Sequence, residues 1–124
     1  DDPYCRFPME WHNVEGNPTH AHYQKLAHLR AANPALRVGA FRTWQVEENV
    51  LDAYLRKSDD QQLLCLINTA LEPVTGMIRL PENWADAKQL TDLFADVPYA
   101  VQDGMLKVTL EVGEGAVLSL PEEK

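Results

Sequence analysis

Four histidines, His12, His20, His22 and His28, fall within the first 28 residues, so metal binding is the first chemistry to weigh. The spacing opposes it. On a helix His20 and His22 point about 200° apart, and no position supplies the i, i+4 partner that a helical zinc site needs. Nor do the carboxylates converge: Glu10, Glu15, Asp52 and Glu111 are scattered over a loop and strand faces, as solvated surface charge is. No metal and no cofactor is expected. Two tryptophans are candidates for a different chemistry, because an exposed indole offers a flat apolar face to a sugar ring. Trp84, in the polar loop Pro81-Glu82-Asn83-Trp84-Ala85-Asp86, is the better placed of the two and Trp44 the other; burial under a loop is the competing fate of either. Asp2 and Arg6, separated by a stretch that Pro3 stiffens, could brace a loop as an ion pair.

The elements that must carry these residues change character along the chain. Residues 1 to 18 mix prolines, glycines and aromatics without sustained periodicity and read as an ordered loop. Asn17 or Thr19 can cap a helix and Pro18 suits its first turn. Tyr23, Leu26, Leu29 and Arg30 then recur at helical spacing until Asn33-Pro34 stops it, which predicts a helix over about 19–33. From Ala35 the apolar period falls to two, with turn residues every eight to twelve positions. Strands are predicted near 37–46, 50–57, 62–68, 74–80, 88–94, 105–112 and 116–120. Leu106, Val108, Leu110 and Val112 should share one face, after the turn pair Asp103-Gly104. Leu63-Leu64-Cys65-Leu66-Ile67 is apolar on both faces, which suits the middle of a two-layer sandwich.

Composition narrows the partners. With 11 basic against 19 acidic residues the net charge is -8, which disfavours polyanions, so nucleic acid is not expected. A chain of 124 residues can bury a core without disulfide or metal. Cys5 and Cys65 fall in regions of different character and read as a reduced pair. No apolar run approaches the roughly 20 residues of a membrane helix, and no basic-plus-apolar leader opens the sequence.

Several segments, in order, resemble one family. Asp2-Pro3-Tyr4-Cys5-Arg6 followed by Pro8-Met9-Glu10-Trp11 is similar to the stretch after the eighth barrel strand in glycoside hydrolase family 13, the α-amylase family. Cyclomaltodextrinases, neopullulanases, maltogenic amylases and maltodextrin glucosidases match best. His22 to Arg30, with Asn33-Pro34-Ala35-Leu36-Arg37 and Gly39, resembles that family's last barrel helix and its exit. Asn49-Val50, Leu63 to Asn68, Leu90-Thr91-Asp92-Leu93 and Asp103-Gly104 resemble its terminal β-domain.

The resemblance implies a mainly β fold: an antiparallel Greek-key sandwich over 35–124, preceded by a loop and one helix over 1–34 left from a (β/α)8 barrel. It implies a parent that hydrolyses α-1,4, or also α-1,6, glucosidic bonds in maltodextrins, cyclodextrins or pullulan. The family's nucleophilic aspartate, glutamate acid/base and second aspartate would lie upstream, so the chain itself would be structural and non-catalytic. A retaining glycosidase needs two carboxyl groups about 5 Å apart. Asp2 and Arg6 would contact a glucose unit, aspartate accepting from hydroxyls and arginine offering a planar fork of donors. The implied partners are an α-glucan oligosaccharide through the parent, the barrel in cis, and a second copy in a homodimer; the implied compartment is the cytoplasm. An autonomous carbohydrate-binding module and an immunoglobulin-like interaction domain are the alternatives, and the helix before the first strand speaks against both.

Overall fold

The computed structural model describes residues 8–121, and within them helix gives way to strand at Gly39. After a 3-10 turn at Trp11–Asn13, helix α1 spans Pro18–Ala32. It starts there because the Asn17 side chain accepts hydrogen bonds from the Thr19 and His20 backbone N–H groups, at 2.9 and 3.4 Å, and Pro18 occupies a first-turn position that needs no donor. It ends at Asn33, ahead of Pro34, as expected. Pro34 then opens a second short helix, α2 (Pro34–Val38), where a strand had been predicted from residue 37. Arg37 thus lies in a helical turn, and extended structure begins only at Ala40. Gly39 makes the switch feasible: a Cβ there would lie 2.3 Å from the Ala35 carbonyl oxygen.

Eight strands follow: β1 Ala40–Trp44, β2 Asp52–Lys57, β3 Gln62–Ile67, β4 Val74–Arg79, β5 Gln89–Asp92, β6 Val97–Gln102, β7 Met105–Leu110 and β8 Gly115–Ser119. All pairs are antiparallel, in the order β1-β2-β3-β8-β5-β6-β7-β4. The sheet curls on itself through β6, so that β2, β3, β8 and β5 face β7 and β4 across one core. That core holds Leu55, Leu64, Leu66, Ile78, Leu90, Leu106, Leu110 and Leu118. The expected sandwich is therefore present, its two layers being a single continuous sheet.

Strand β6 is absent from the predicted set, and Pro98 is the reason, since a proline supplies no ladder donor. Its register explains why it is tolerated. Pro98 lies opposite Thr91, and the Val101 N–H donates to the Lys88 carbonyl at 2.9 Å. Hydrogen-bonded pairs alternate along an antiparallel ladder, so Pro98 falls at a non-bonded position toward β5. Toward β7 only Val101 and Gln102 are paired.

The two-faced apolar run has a specific cause. Leu64 and Leu66 enter the core, while Leu63 and Cys65 on the opposite face are buried as well, with α2 lying against β2 and β3. In β7, Leu106, Val108 and Leu110 are buried and Lys107 and Thr109 exposed, as the alternation predicts; Val112 lies past the strand end and is exposed, because the turn has already broken the period.

Helix α1 buries no residue against the sandwich: Tyr23 is 67% and Leu26 38% exposed. Its attachments are polar and aromatic instead. Gln61 donates to Asn33 at 2.7 Å and accepts from the Ala35 N–H at 3.1 Å, while Phe94 receives the His22 ring edge-on at 5.4 Å and Lys25 Nζ at 4.4 Å.

Candidate functional site: a cleft between the open sheet edges

Because the sheet curls without closing, its two edge strands, β1 and β4, come near one another. Arg42 and Trp44 alternate onto the inner face of β1, opposite Leu55 and Ala53 of β2. The half-buried Trp44 packs against the core, and its indole Nε1–H donates to the Arg79 carbonyl at the end of β4, 2.7 Å away. One side chain thus pins the two edges. The Arg42 guanidinium lies over the same indole, 5.6 Å from the ring centre, within cation–π range.

Around Trp44 opens a cleft of about 1070 Å³, walled by Arg42, Gln45, Glu47, Asn49, Arg79, Glu82 and Asp103 among others. A second hollow of about 740 Å³ shares Arg42, Trp44 and Glu82 with it and continues along β1 past Asn83 and Gln62. Those two amides hold each other reciprocally at 3.2 and 3.1 Å.

Tight turns set the rim. Glu48 and Asn49 have φ of 61° and 53°, two successive non-glycine residues in the left-handed region, which carry Glu47 and Asn49 to the cleft. On the opposite side Asp103 and Gly104, with φ of 53° and 72°, form the tight turn expected from their types, and the Gly104 carbonyl accepts from the Leu80 N–H at 2.9 Å.

The rim offers donors from two guanidinium groups and two carboxamides, and acceptors from three carboxylates. Among the described residues neither the Arg42 nor the Arg79 guanidinium makes a hydrogen bond. Such a surface can bind, and its three carboxylates stand on separate turns.

The other candidates fall elsewhere. Trp84 is 3% exposed and belongs to the core, which corrects its reading as the better sugar platform. The 3-10 turn Glu82–Trp84 rotates its indole inward while Glu82 and Asn83 stay at the surface, an outcome that a polar flanking sequence cannot reveal. Trp44, ranked second, is the indole that lines a cleft. Asp2 and Arg6 lie outside the described residues. Glu10 accepts from the Asn13 side chain at 3.0 Å and Asp52 from the Thr69 hydroxyl at 3.0 Å, far apart in the chain, and Glu111 and Glu15 are exposed. Among the described residues no three His, Cys, Asp or Glu side chains converge on a metal-sized site. Arg42 could have been found from sequence, two positions from Trp44 on one strand face; Arg79, Glu47, Asn49 and Asp103 could not, because only the curl of the sheet gathers them.

Comparison with known proteins adds the family. Residues 41–112 match the family model described as the maltogenic amylase C-terminal domain. The chain is 30% identical over 119 residues to Neopullulanase 2 of Thermoactinomyces vulgaris, covering 94% of this chain and 20% of that protein. It thus spans about a fifth of the length of this relative. Among solved structures, an Anoxybacillus α-amylase superposes with a TM-score of 0.80 at 21% identity, over 100% of this chain and 26% of that one, which speaks to fold alone. AmyP in complex with maltose gives a TM-score of 0.69 at 25% identity, over 85% of this chain and 21% of that one.

Proposed function

We propose that this chain, which belongs to the maltogenic amylase C-terminal domain family, is the closing β-domain of an enzyme that hydrolyses α-glucosidic bonds in maltodextrins, cyclodextrins or pullulan. Its part in that enzyme is structural. The observation that carries this reading is the family match over 41–112, which runs from β1 past the end of β7.

The condition of α1 supports it. A helix of about 15 residues is marginal in water unless it buries a face. Here Tyr23 and Leu26 are exposed on α1, and Val38 and Phe41 are exposed further along the chain, as apolar surface that a neighbouring domain would cover. We assign residues 1–34 to the end of the catalytic barrel, with α1 as its last helix, and 35–124 to the β-domain. A second copy in a homodimer is the other cover for this surface.

In the same reading Asp2 and Arg6 hold a glucose unit of the substrate. The test uses the enzyme that carries this chain at its C-terminus. The chain alone should release no reducing sugar from maltodextrin, and Arg6→Ala in the whole enzyme should lower kcat/KM about tenfold or more, as loss of a charge-assisted hydrogen bond of about 1.5–3 kcal/mol requires. Hydrolysis by the chain alone would overturn the structural role. Unchanged efficiency in a folded Arg6→Ala enzyme would make Asp2 and Arg6 a loop brace.

A further inference from the structure

We infer that the β-domain is an assembly template for α1, holding that helix in a set direction through a polar joint at residues 33–39 before any neighbouring domain packs on it. The identity of that neighbour as the catalytic barrel rests on the proposed function; the joint rests on the bonds within this chain.

The β2–β3 hairpin grips α2 at both ends. Gln61 sits in the turn where the Ser58 N–H donates to its carbonyl at 2.9 Å. Its side chain accepts from the Ala35 N–H at the start of α2 and donates to the Asn33 side chain just before it, while Ala35 itself is fully buried. At the far end Arg56 of β2 donates to the Gly39 carbonyl at 3.0 Å. The short helix in turn locks α1, because each caps the other: Arg37 donates to the Ala31 carbonyl and Arg30 to the Leu36 carbonyl. Asn33 adds a bond to the Leu29 carbonyl at 2.8 Å. The last turn of a helix leaves its carbonyls without intrahelical partners, so these side chains occupy acceptors that water would otherwise fill.

One support fixes a point; two fix a direction. The second is Phe94, which meets the His22 ring and Lys25. It is presented on a firm base, since the buried Asp92 accepts from the Phe94 and Val117 N–H groups and so ties this turn to β8. At 1.5 Å per residue His22 and Asn33 stand about 16 Å apart along the helix. His22, Lys25, Leu29 and Asn33 share one face of α1 at helical spacing, and Tyr23 and Leu26 lie to its side.

The kind of bond separates a template from a simple brace. A helix serving this chain alone would gain most by laying Tyr23 and Leu26 on the sheet, yet both are exposed and polar groups fix the helix instead. The apolar stripe therefore stays open, and less ordering entropy remains to be lost when a neighbour arrives. A set direction does not require slow amide exchange, because an unburied helix can open and re-form between fixed supports.

Two measurements test the inference. In the chain, residual dipolar couplings of α1 and of the strands should fit one alignment tensor, and Gln61→Ala should shrink those of α1 while the strands keep theirs. In the enzyme that carries this chain, Gln61→Ala should slow recovery after dilution from urea about fivefold, as loss of one net hydrogen bond formed by the transition state requires, with kcat/KM of the recovered enzyme unchanged. Arg37→Ala, at an exposed side chain, is the second variant should Gln61→Ala not fold, with the same expected results. Recovery is followed by near-UV circular dichroism as well as by maltodextrin hydrolysis, so an enzyme with another substrate would sink the family-based function and still test the template. A separate tensor for α1 in the native chain overturns the joint. An unchanged recovery rate with faster unfolding reduces the joint to a late-forming brace and overturns the template.

Discussion

Cys65 lies on the outer face of β3, opposite Tyr54 on β2 and Val117 on β8, and is a free thiol. Burial pushes its pKa up from 9.0 to about 11, against smaller opposing effects of the Tyr54 hydrogen bond and the Arg56 charge. Burial, and next the Cys65 thiol, also raises that of Tyr54. A group whose pKa is raised on folding is protonated more readily in the native state. Its contribution is therefore complete below the unfolded value and is lost as pH climbs through the folded one. For Cys65 the window runs from pH 9 to about 11. The loss there is at most about 3 kcal/mol, from about 1.4 kcal/mol per pKa unit. Urea unfolding followed across that window should show a falling midpoint in the native protein. In Cys65→Ala the fall should be shallower, from a lower starting stability, with Tyr54 and Tyr99, both raised first by burial, supplying what slope remains. An equally steep fall in the variant would remove the thiol as its source. At this scale only the place of Cys65 in an apolar run was legible beforehand; its tyrosine neighbour belongs to the register of two strands.

Among elements, α1 is the least secured. Its N-terminus is capped by Asn17 and its C-terminus is tied through Asn33 and Gln61, yet nothing between is buried. The aromatic contact of Phe94 with His22 and Lys25 is exposed and contributes about 1 kcal/mol or less. Amides of residues 22–30 should therefore exchange with solvent far faster than those of β3, whose neighbours flank it on both edges and whose two faces are covered. Hydrogen exchange by mass spectrometry at two protein concentrations reads this directly. Protection of α1 equal to that of β3 at the lower concentration would defeat the claim, whereas protection that grows with concentration would identify a second copy as the cover for Tyr23 and Leu26. The boundaries of α1 were legible because Asn17, Pro18, Asn33 and Pro34 act locally. Its exposure was not, since a helix's apolar positions state what it could bury and leave open whether a partner is present.

At the scale of the molecule, one core serves both layers. Leu118 on β8 is fully buried and clusters with residues of β2, β3 and β5 on one side and β4 and β7 on the other. Leu118→Ala should lower unfolding free energy by about 2–5 kcal/mol, through lost transfer energy and the cavity left behind. Because no subset of strands owns the core, tryptophan fluorescence and far-UV circular dichroism of the sheet should shift together in a single transition. Separate transitions for the two probes would show that the layers unfold independently.

Composition, period and turn chemistry were enough to separate a helical opening from an all-β remainder, to place the Asp103-Gly104 turn and the buried face of β7, and to suggest the family through short ordered segments. Those are properties of neighbours in sequence, set by backbone preference and by which side of a strand is apolar. Strand β6 escaped because Pro98 breaks the local rule, and only its pairing with β5 shows that no ladder bond is lost. Trp44 and Trp84 were exchanged in rank because exposure depends on what packs above a side chain. Asn68 and Asp92 make the same point from within. Asn68 donates to the Glu72, Leu110 and Glu111 carbonyls at 2.9, 3.1 and 3.1 Å, and Asp92 accepts from the Phe94 and Val117 N–H groups at 2.9 and 3.1 Å. In sequence both look like ordinary turn residues. Their burial, like the cleft at Trp44, was decided by the curl of one sheet that brings residues more than 30 positions apart within bonding distance, a long-range outcome that no local pattern encodes.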